Sequence, residues 1–80
     1  MKNQLFNTSQ RVYELFIVEN GECSKLKLAI EMLFTESENE YIYALQDITD
    51  DILDLKKGKS LYFQPNRDDK ESKGIILRVN

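Results

Sequence analysis

The sequence contains no histidine, one cysteine, one proline and three glycines. Without histidine the commonest general base of enzymes is missing, so serine, threonine, lysine and carboxylates would have to do all acid-base chemistry. No GxSxG, phosphate-loop or GxGxxG pattern occurs, and a turn or a helix end accounts for every glycine. We therefore expect a protein that is not an enzyme and that uses no cofactor.

The single cysteine excludes a disulfide within the chain and, with histidine absent, argues against a structural zinc site. A free thiol fits a reducing compartment. No apolar run approaches the roughly 20 residues needed to cross a bilayer, and no signal peptide follows Met1 and Lys2. These absences predict a soluble, cytoplasmic protein that makes no membrane contact.

The length of 80 residues allows one small domain, over residues 1–80, with a single modest core and no internal repeat. Residues 1–10 are polar apart from Leu5 and Phe6, which predicts an extended or frayed lead-in.

Positive charge is missing from the middle of the chain. Residues 28–55 contain no lysine or arginine but eight acids: Glu31, Glu36, Glu38, Glu40, Asp47, Asp50, Asp51 and Asp54. From Lys56 to the last residue there are seven lysines and arginines and three acids. The net charge of −3 therefore conceals a strong polarity along the sequence, which bears on partners rather than on fold.

The organising stretch is residues 12–32, two apolar-rich runs joined by Asn20 and Gly21. Asn-Gly tolerates positive φ at both centres of a type I′ turn, so it predicts a β-hairpin with a fixed register. That register places Leu15 opposite Leu26, Tyr13 opposite Leu28, Val12 opposite Ala29 and Glu14 opposite Lys27. Cys23 then lies opposite Val18, where we expect a small buried group.

The second strand, residues 24–34, has a competing interpretation. Leu26, Ala29, Ile30, Leu33 and Phe34 also form a helical stripe, and Ser24 is a suitable N-cap. A helix would leave Leu28 and Met32 on its charged side. With the turn just before it, the strand is preferred, and an α+β fold with a helix at 24–35 is the alternative.

The rest of the chain predicts three more strands and one helix. Residues 40–46 alternate as a third strand, in which Tyr41 pairs with Met32 and Tyr43 with Ile30. Residues 47–58 change to helical spacing, with Thr49 as N-cap and Gly58 at the end. Residues 60–64 and 74–79 form strands four and five. The predicted fold is mainly all-β: a five-stranded antiparallel meander, a curled sheet or small barrel, with one short helix between strands three and four.

The leading functional hypothesis concerns the acids. Asp47, Asp50, Asp51 and Asp54 recur at i, i+3, i+4 and i+7 and so share one helical face. With Glu36, Glu38 and Glu40 they would form an acidic face that binds a basic partner protein, as an inhibitor of a nucleic-acid-handling or defence enzyme would. The same aspartates also fit the ordinary solvated side of an amphipathic helix. A small chain without a catalytic motif is common among phage and mobile-element accessory proteins, which makes such a source the expected one.

The acids do not predict a metal site. Asp47, Thr49 and Asp51 match the first spacings of a calcium loop, but its sixth position is Ile52 instead of glycine and its twelfth is Gly58 instead of glutamate.

Two alternatives remain open. A small β-barrel could bind single-stranded nucleic acid through Lys56, Lys57, Lys59, Tyr62 and Arg67, although these also fit ordinary surface positions and nucleic-acid binders are usually basic overall. A structural or assembly protein could instead pair residues 74–79, or another edge strand, with a second chain, which would make a homo-oligomer.

Overall fold

The computed structural model describes residues 11–35 and 41–80, which form a four-stranded antiparallel sheet and three short helices. Strands and helices follow in the order β1 (Val12–Glu19), β2 (Glu22–Ala29), α1 (Ile30–Leu33), α2 (Ile42–Gln46), α3 (Thr49–Asp54), β3 (Ser60–Phe63) and β4 (Lys73–Arg78). None of the helices in this part of the chain has the length and apolar character needed to span a bilayer. The expectation of a mainly β fold is confirmed.

The hairpin forms with its predicted register. Asn20 and Gly21 adopt φ values of 51° and 78°, as a type I′ turn requires. Leu15 then pairs with Leu26, and Tyr13 pairs with Leu28. The two-residue loop fixes these pairs, and it also leaves Glu19 opposite Glu22 beside the turn.

The strand order is β2-β1-β4-β3, so the sheet is not the predicted meander. The last strand, β4, returns to pair with β1, where Leu15 lies opposite Ile76. β3 pairs with the other edge of β4. β1 is therefore an interior strand, as its apolar character on both faces indicates. The sheet is open, with β2 and β3 as its edges, and the fifth strand is not found in the described residues.

One face of the sheet carries the core. Tyr13, Leu15 and Ile17 on β1 and Ile76 on β4 are fully or almost fully buried under the helices. The helices contribute the other buried residues of this cluster: Ile30, Leu33, Leu45 and Ile52, joined by Leu55 just after α3. Burial of these side chains is the main force that holds so small a domain together.

Residues 24–34 follow neither prediction completely. The strand is correct as far as Ala29, and Ile30 then begins α1. β1 begins at Val12, and the N–H of Ile30 donates to the carbonyl of Arg11 at 3.0 Å, which closes the ladder. Because Ile30 and Leu33 lie three residues apart, a single helical turn buries both, while Met32 is exposed.

The predicted third strand is wrong, because residues 42–46 form α2. Ile42 and Leu45 recur at helical spacing and are buried, while Tyr43 between them is 59% exposed. The pairs of Tyr41 with Met32 and of Tyr43 with Ile30 are not made, since Met32 belongs to a helix rather than to a strand.

The helix at 47–58 exists but is shorter than predicted, as α3. Its N-cap is Ile48, and the Thr49 hydroxyl donates instead to the carbonyl of Gln46 at 2.8 Å. The helix ends at Asp54, so Gly58 does not terminate it. Gly58 lies at φ 83° in the following turn, where the N–H of Lys59 donates to the carbonyl of Lys56.

The second face of the sheet is covered by no helix or strand of the described chain. By strand alternation it carries Phe16 and Val18 from β1, Ile75 and Leu77 from β4, and Tyr62 from β3; we call it the uncovered sheet face. Cys23 lies on this face on an edge strand and is exposed, so the expectation of a buried thiol is wrong.

Candidate functional site

The helical side of the molecule carries the predicted aspartates. Asp47, Asp50, Asp51 and Asp54 are all exposed. Asp50, Asp51 and Asp54 belong to α3, which buries Ile52 against the sheet, whereas Asp47 is the C-cap of α2. The predicted single helical face of four aspartates is therefore wrong, because the chain changes from one helix to the next at Ile48. Within the described residues Asp50, Asp51 and Asp54 make no ion pair. We call these four residues the acidic helical side. Glu36, Glu38 and Glu40, predicted to belong to the same surface, lie outside the described residues.

Two arginines and a tyrosine hold the end of α3 that carries Asp54. Arg11 Nη1 donates to the carbonyl of Leu53 at 2.7 Å, and Arg78 Nη1 donates to that of Leu55 at 2.9 Å. Tyr13 Oη donates to the carbonyl of Ile52 at 3.3 Å. The Ile52 carbonyl also accepts from the N–H of Leu55 at 3.1 Å. Carbonyls at a helix end lack the usual partner four residues on, so the arginine bonds satisfy those of Leu53 and Leu55, and the three side chains together fix α3 to the sheet.

A groove of about 680 Å³ opens beside the acidic helical side. It runs between α2 and the loop joining β3 to β4, and we call it the helix–loop groove. Residues on its walls include Tyr41, Tyr43, Asp47, Ile48, Pro65, Arg67 and Asp68. Tyr43 presents a largely exposed ring, and Tyr41 is half-buried against the core. Aromatic rings next to carboxylates form a concave surface suited to a cationic side chain.

The predicted charged loop after Pro65 is held by its own hydrogen bonds. Ser72 is buried, and its Oγ accepts from the N–H of Asn66 and donates to the carbonyl of Asp69 at 2.8 Å. Asn66 Oδ1 accepts from the N–H of Asp68 at 3.0 Å, as in an Asx turn. These bonds place Arg67 and Asp68 on the groove wall. Ser72 was not singled out by sequence, because no pattern distinguishes a buried serine within such a polar segment.

Arg67 is the cation nearest to the predicted acids. Its Nη2 lies 3.7 Å from Asp47 Oδ2, and both side chains are more than two-thirds exposed, at 75% and 73%. An ion pair this exposed contributes little to stability, so a competing cation could replace Arg67 at small cost.

The residues of the nucleic-acid alternative do not gather on one surface. Lys56 and Lys57 are exposed in the turn between α3 and β3, and Lys59 precedes β3. Tyr62 lies on the uncovered sheet face, whereas the pair with Asp47 directs Arg67 toward the helical side.

The edge-pairing alternative meets a different arrangement from the one predicted. Residues 73–78 form β4, which lies between β1 and β3 and so has no free edge. The exposed edges belong to β2 and to β3.

Among the described residues no group of three or more histidine, cysteine, aspartate or glutamate side chains could hold a metal ion. Comparison with protein-family models, with curated proteins and with solved structures finds no match.

Proposed function

We propose that this chain is a non-enzymatic binding protein that attaches to a basic surface of another protein. Its contact surface is the acidic helical side together with the helix–loop groove. The observation that carries the proposal is the position of Asp47, which belongs to both: it lines the groove and lies two residues before the helix of Asp50, Asp51 and Asp54.

The two parts have different tasks. Exposed carboxylates attract a basic partner over a distance and raise the association rate, but they add little affinity once screened by salt. Affinity requires a side chain that becomes buried, and aromatic anchors usually supply it. Tyr43 in the groove is the exposed aromatic residue on this side, and a partner arginine beside Asp47 and Asp68 would contact its ring.

A partner whose own groove binds nucleic acid fits this surface best. Carboxylates spaced along one side of a helix lie where successive phosphates would otherwise bind. The chain would then act by occupying the nucleic-acid site of an enzyme, as an inhibitor or regulator of a nucleic-acid-handling or defence protein.

Affinity capture from a host lysate tests the proposal. The wild type and the variant D50N/D54N are immobilised at equal density, and bound proteins are quantified by mass spectrometry. At about 50 mM salt, where these charges are weakly screened, we expect at least one partner that the variant captures about tenfold less well, because the association rate depends on the removed charges. Binding of that partner to the wild type should also weaken steeply between about 50 mM and about 500 mM salt.

The matched control is E14Q/S60K, which raises the net charge by the same two units on the uncovered sheet face. It should capture the partner as well as the wild type does. Equal loss with both variants would assign the effect to net charge alone, and capture that is insensitive to D50N/D54N and to salt would refute the proposal.

A further inference from the structure

The uncovered sheet face carries two aromatic side chains in one row. Phe16 pairs with Ile75, and Ile75 pairs with Tyr62, so the three side chains lie side by side across β1, β4 and β3. With strands about 4.8 Å apart, the two aromatic residues stand about 10 Å from each other. Tyr62 is 83% exposed, which is the largest exposure of any large hydrophobic side chain in the described residues.

A groove of about 370 Å³ lies along this row. Phe16, Tyr62 and Ile75 form part of its lining, with Val18 and Lys73 toward the end of β1. The lining is almost entirely apolar. A flat ring placed on it would bury apolar surface without removing water from polar groups of the protein.

The charges around the groove are opposite in sign to those of the helical side. Among residues 11–35 and 41–80, Lys25, Lys27 and Lys73 share the uncovered sheet face with a single acid, Glu14. Lys25 Nζ lies 3.6 Å from Glu14 and 5.8 Å from the centre of the Phe16 ring. The face therefore carries a net charge of about +2 in a chain of net charge −3, and its lysines border the aromatic row.

An apolar aromatic row bordered by lysines distinguishes between two possible occupants, a second copy of the chain and a single strand of nucleic acid. A second copy would place the same excess of lysines against itself around the apolar row, and like charges brought together at an interface oppose binding. A single strand of nucleic acid instead offers bases that stack on exposed rings and phosphates that pair with lysines. A duplex would keep its bases stacked inside and could not use the rings.

We propose that the uncovered sheet face binds single-stranded nucleic acid. Bases stack on Tyr62 and Phe16, and Lys27 and Lys73 contact the phosphates on either side of the row. The site lies on the opposite side of the sheet from the acidic helical side and does not depend on the function proposed there.

The test replaces Tyr62 by tryptophan, whose fluorescence reports whether a base stacks at this position. The chain has no tryptophan, so Y62W places a single indole on the row. Titration at low salt with an oligothymidylate or oligouridylate of about 15 nucleotides should quench its fluorescence, because bases stack on the indole. The matched control is Y43W, which places the single tryptophan on the helical side, where the same oligonucleotide should leave its fluorescence unchanged.

Anisotropy of a labelled oligonucleotide then measures affinity. Y62A should weaken binding about 5-fold to 150-fold, the range found when one stacking ring is removed. K27A/K73A should lower the slope of log affinity against log salt by about 1.4, at about 0.7 for each phosphate contact. K56A/K57A should change neither quantity, and D50N/D54N should not weaken binding. Circular dichroism of each variant verifies that the fold is kept.

Several outcomes would overturn the proposal. One is a wild type with no measurable affinity for either oligonucleotide at low salt. Another is an affinity that Y62A leaves unchanged, or that K56A/K57A reduces as much as K27A/K73A does. Sedimentation that reveals a dimer, lost in Y62A, would assign the face to a second copy instead. D50N/D54N should weaken capture of the partner protein but not binding of the oligonucleotide. The two proposals can therefore fail independently of each other.

Discussion

Replacing Gly74 by alanine tests how closely Phe63 packs on the sheet. The two residues pair across β3 and β4 on the core face. A Cβ added at Gly74 would lie 2.7 Å from Cε1 and 2.8 Å from Cζ of the Phe63 ring. Gly74 is not among the glycines with positive φ, so the backbone itself would accept alanine. The ring alone opposes the substitution.

The expected magnitude is the difference between two effects. Overpacking a well-filled site costs about 1–3 kcal/mol, because the ring must move against the core that it contacts. Alanine in a strand recovers about 0.5–1 kcal/mol relative to glycine, since the unfolded chain loses freedom. G74A should therefore destabilise the protein by up to roughly 2.5 kcal/mol. With Phe63 replaced by alanine, the same change should instead stabilise it by about 0.5–1 kcal/mol.

Urea denaturation of the wild type, G74A, F63A and the double variant completes the cycle. We expect a coupling energy of about 1–3 kcal/mol, because only the ring links the two sites. Gly58 supplies the control: its φ is 83° and nothing lies within 4 Å of an added Cβ, so G58A should be equally costly in both backgrounds. A cost of G74A that does not depend on Phe63 would refute the packing described here.

Two further predictions concern Tyr13 and Cys23. Y13F removes the hydroxyl that donates to the Ile52 carbonyl and accepts from Arg11, and should lower the unfolding free energy by about 0.5–1.5 kcal/mol in urea, whereas Y62F should leave it unchanged. Equal stability of Y13F and the wild type would contradict a role for this hydroxyl in holding α3. Cys23 is exposed and should react with a thiol reagent in the folded protein nearly as fast as in urea. Strong protection in the folded protein would indicate that something covers β2.

The hairpin was predictable because its determinants are local. Asn20 and Gly21 specify a turn whose length fixes the register, and the register can be checked against pairs such as Glu14 and Lys27. Nothing outside residues 12–29 is needed for that inference.

The end of the second strand was not predictable in the same way. Alternation continues through Ile30 and Met32, so the pattern alone favours a longer strand. Within the described residues, the pairing of β2 with β1 ends at Ala29 opposite Val12, and the bond from Ile30 N–H to the Arg11 carbonyl is the last of the ladder. A helical turn after Ala29 buries both Ile30 and Leu33. The predicted strand at residues 40–46 depended on pairing with Ile30 and Met32, and because these residues are helical, that prediction is wrong as well.

Strand order was also beyond local patterns. A meander is the simplest arrangement of successive hairpins, but β4 inserts between β1 and β3. In this order Ile76 lies opposite Leu15 and is fully buried on the core face. The exposed aspartates of α3 were predicted because helical spacing determines them, whereas the apolar face around Tyr62 emerged only from the strand order.

Charge segregation gives the two proposed sites a common physical basis. In the described part of the chain, one face of the sheet is open with an excess of lysines, while all aspartates from Asp47 to Asp54 lie on the helical side. On both proposals, phosphates are repelled from the helical side and attracted to the sheet, so a bound strand is confined to one face. A basic protein would instead be attracted to the helical side and repelled from the sheet face. The negative net charge is therefore compatible with nucleic-acid binding, because the relevant quantity is the local charge beside Tyr62 and not the total.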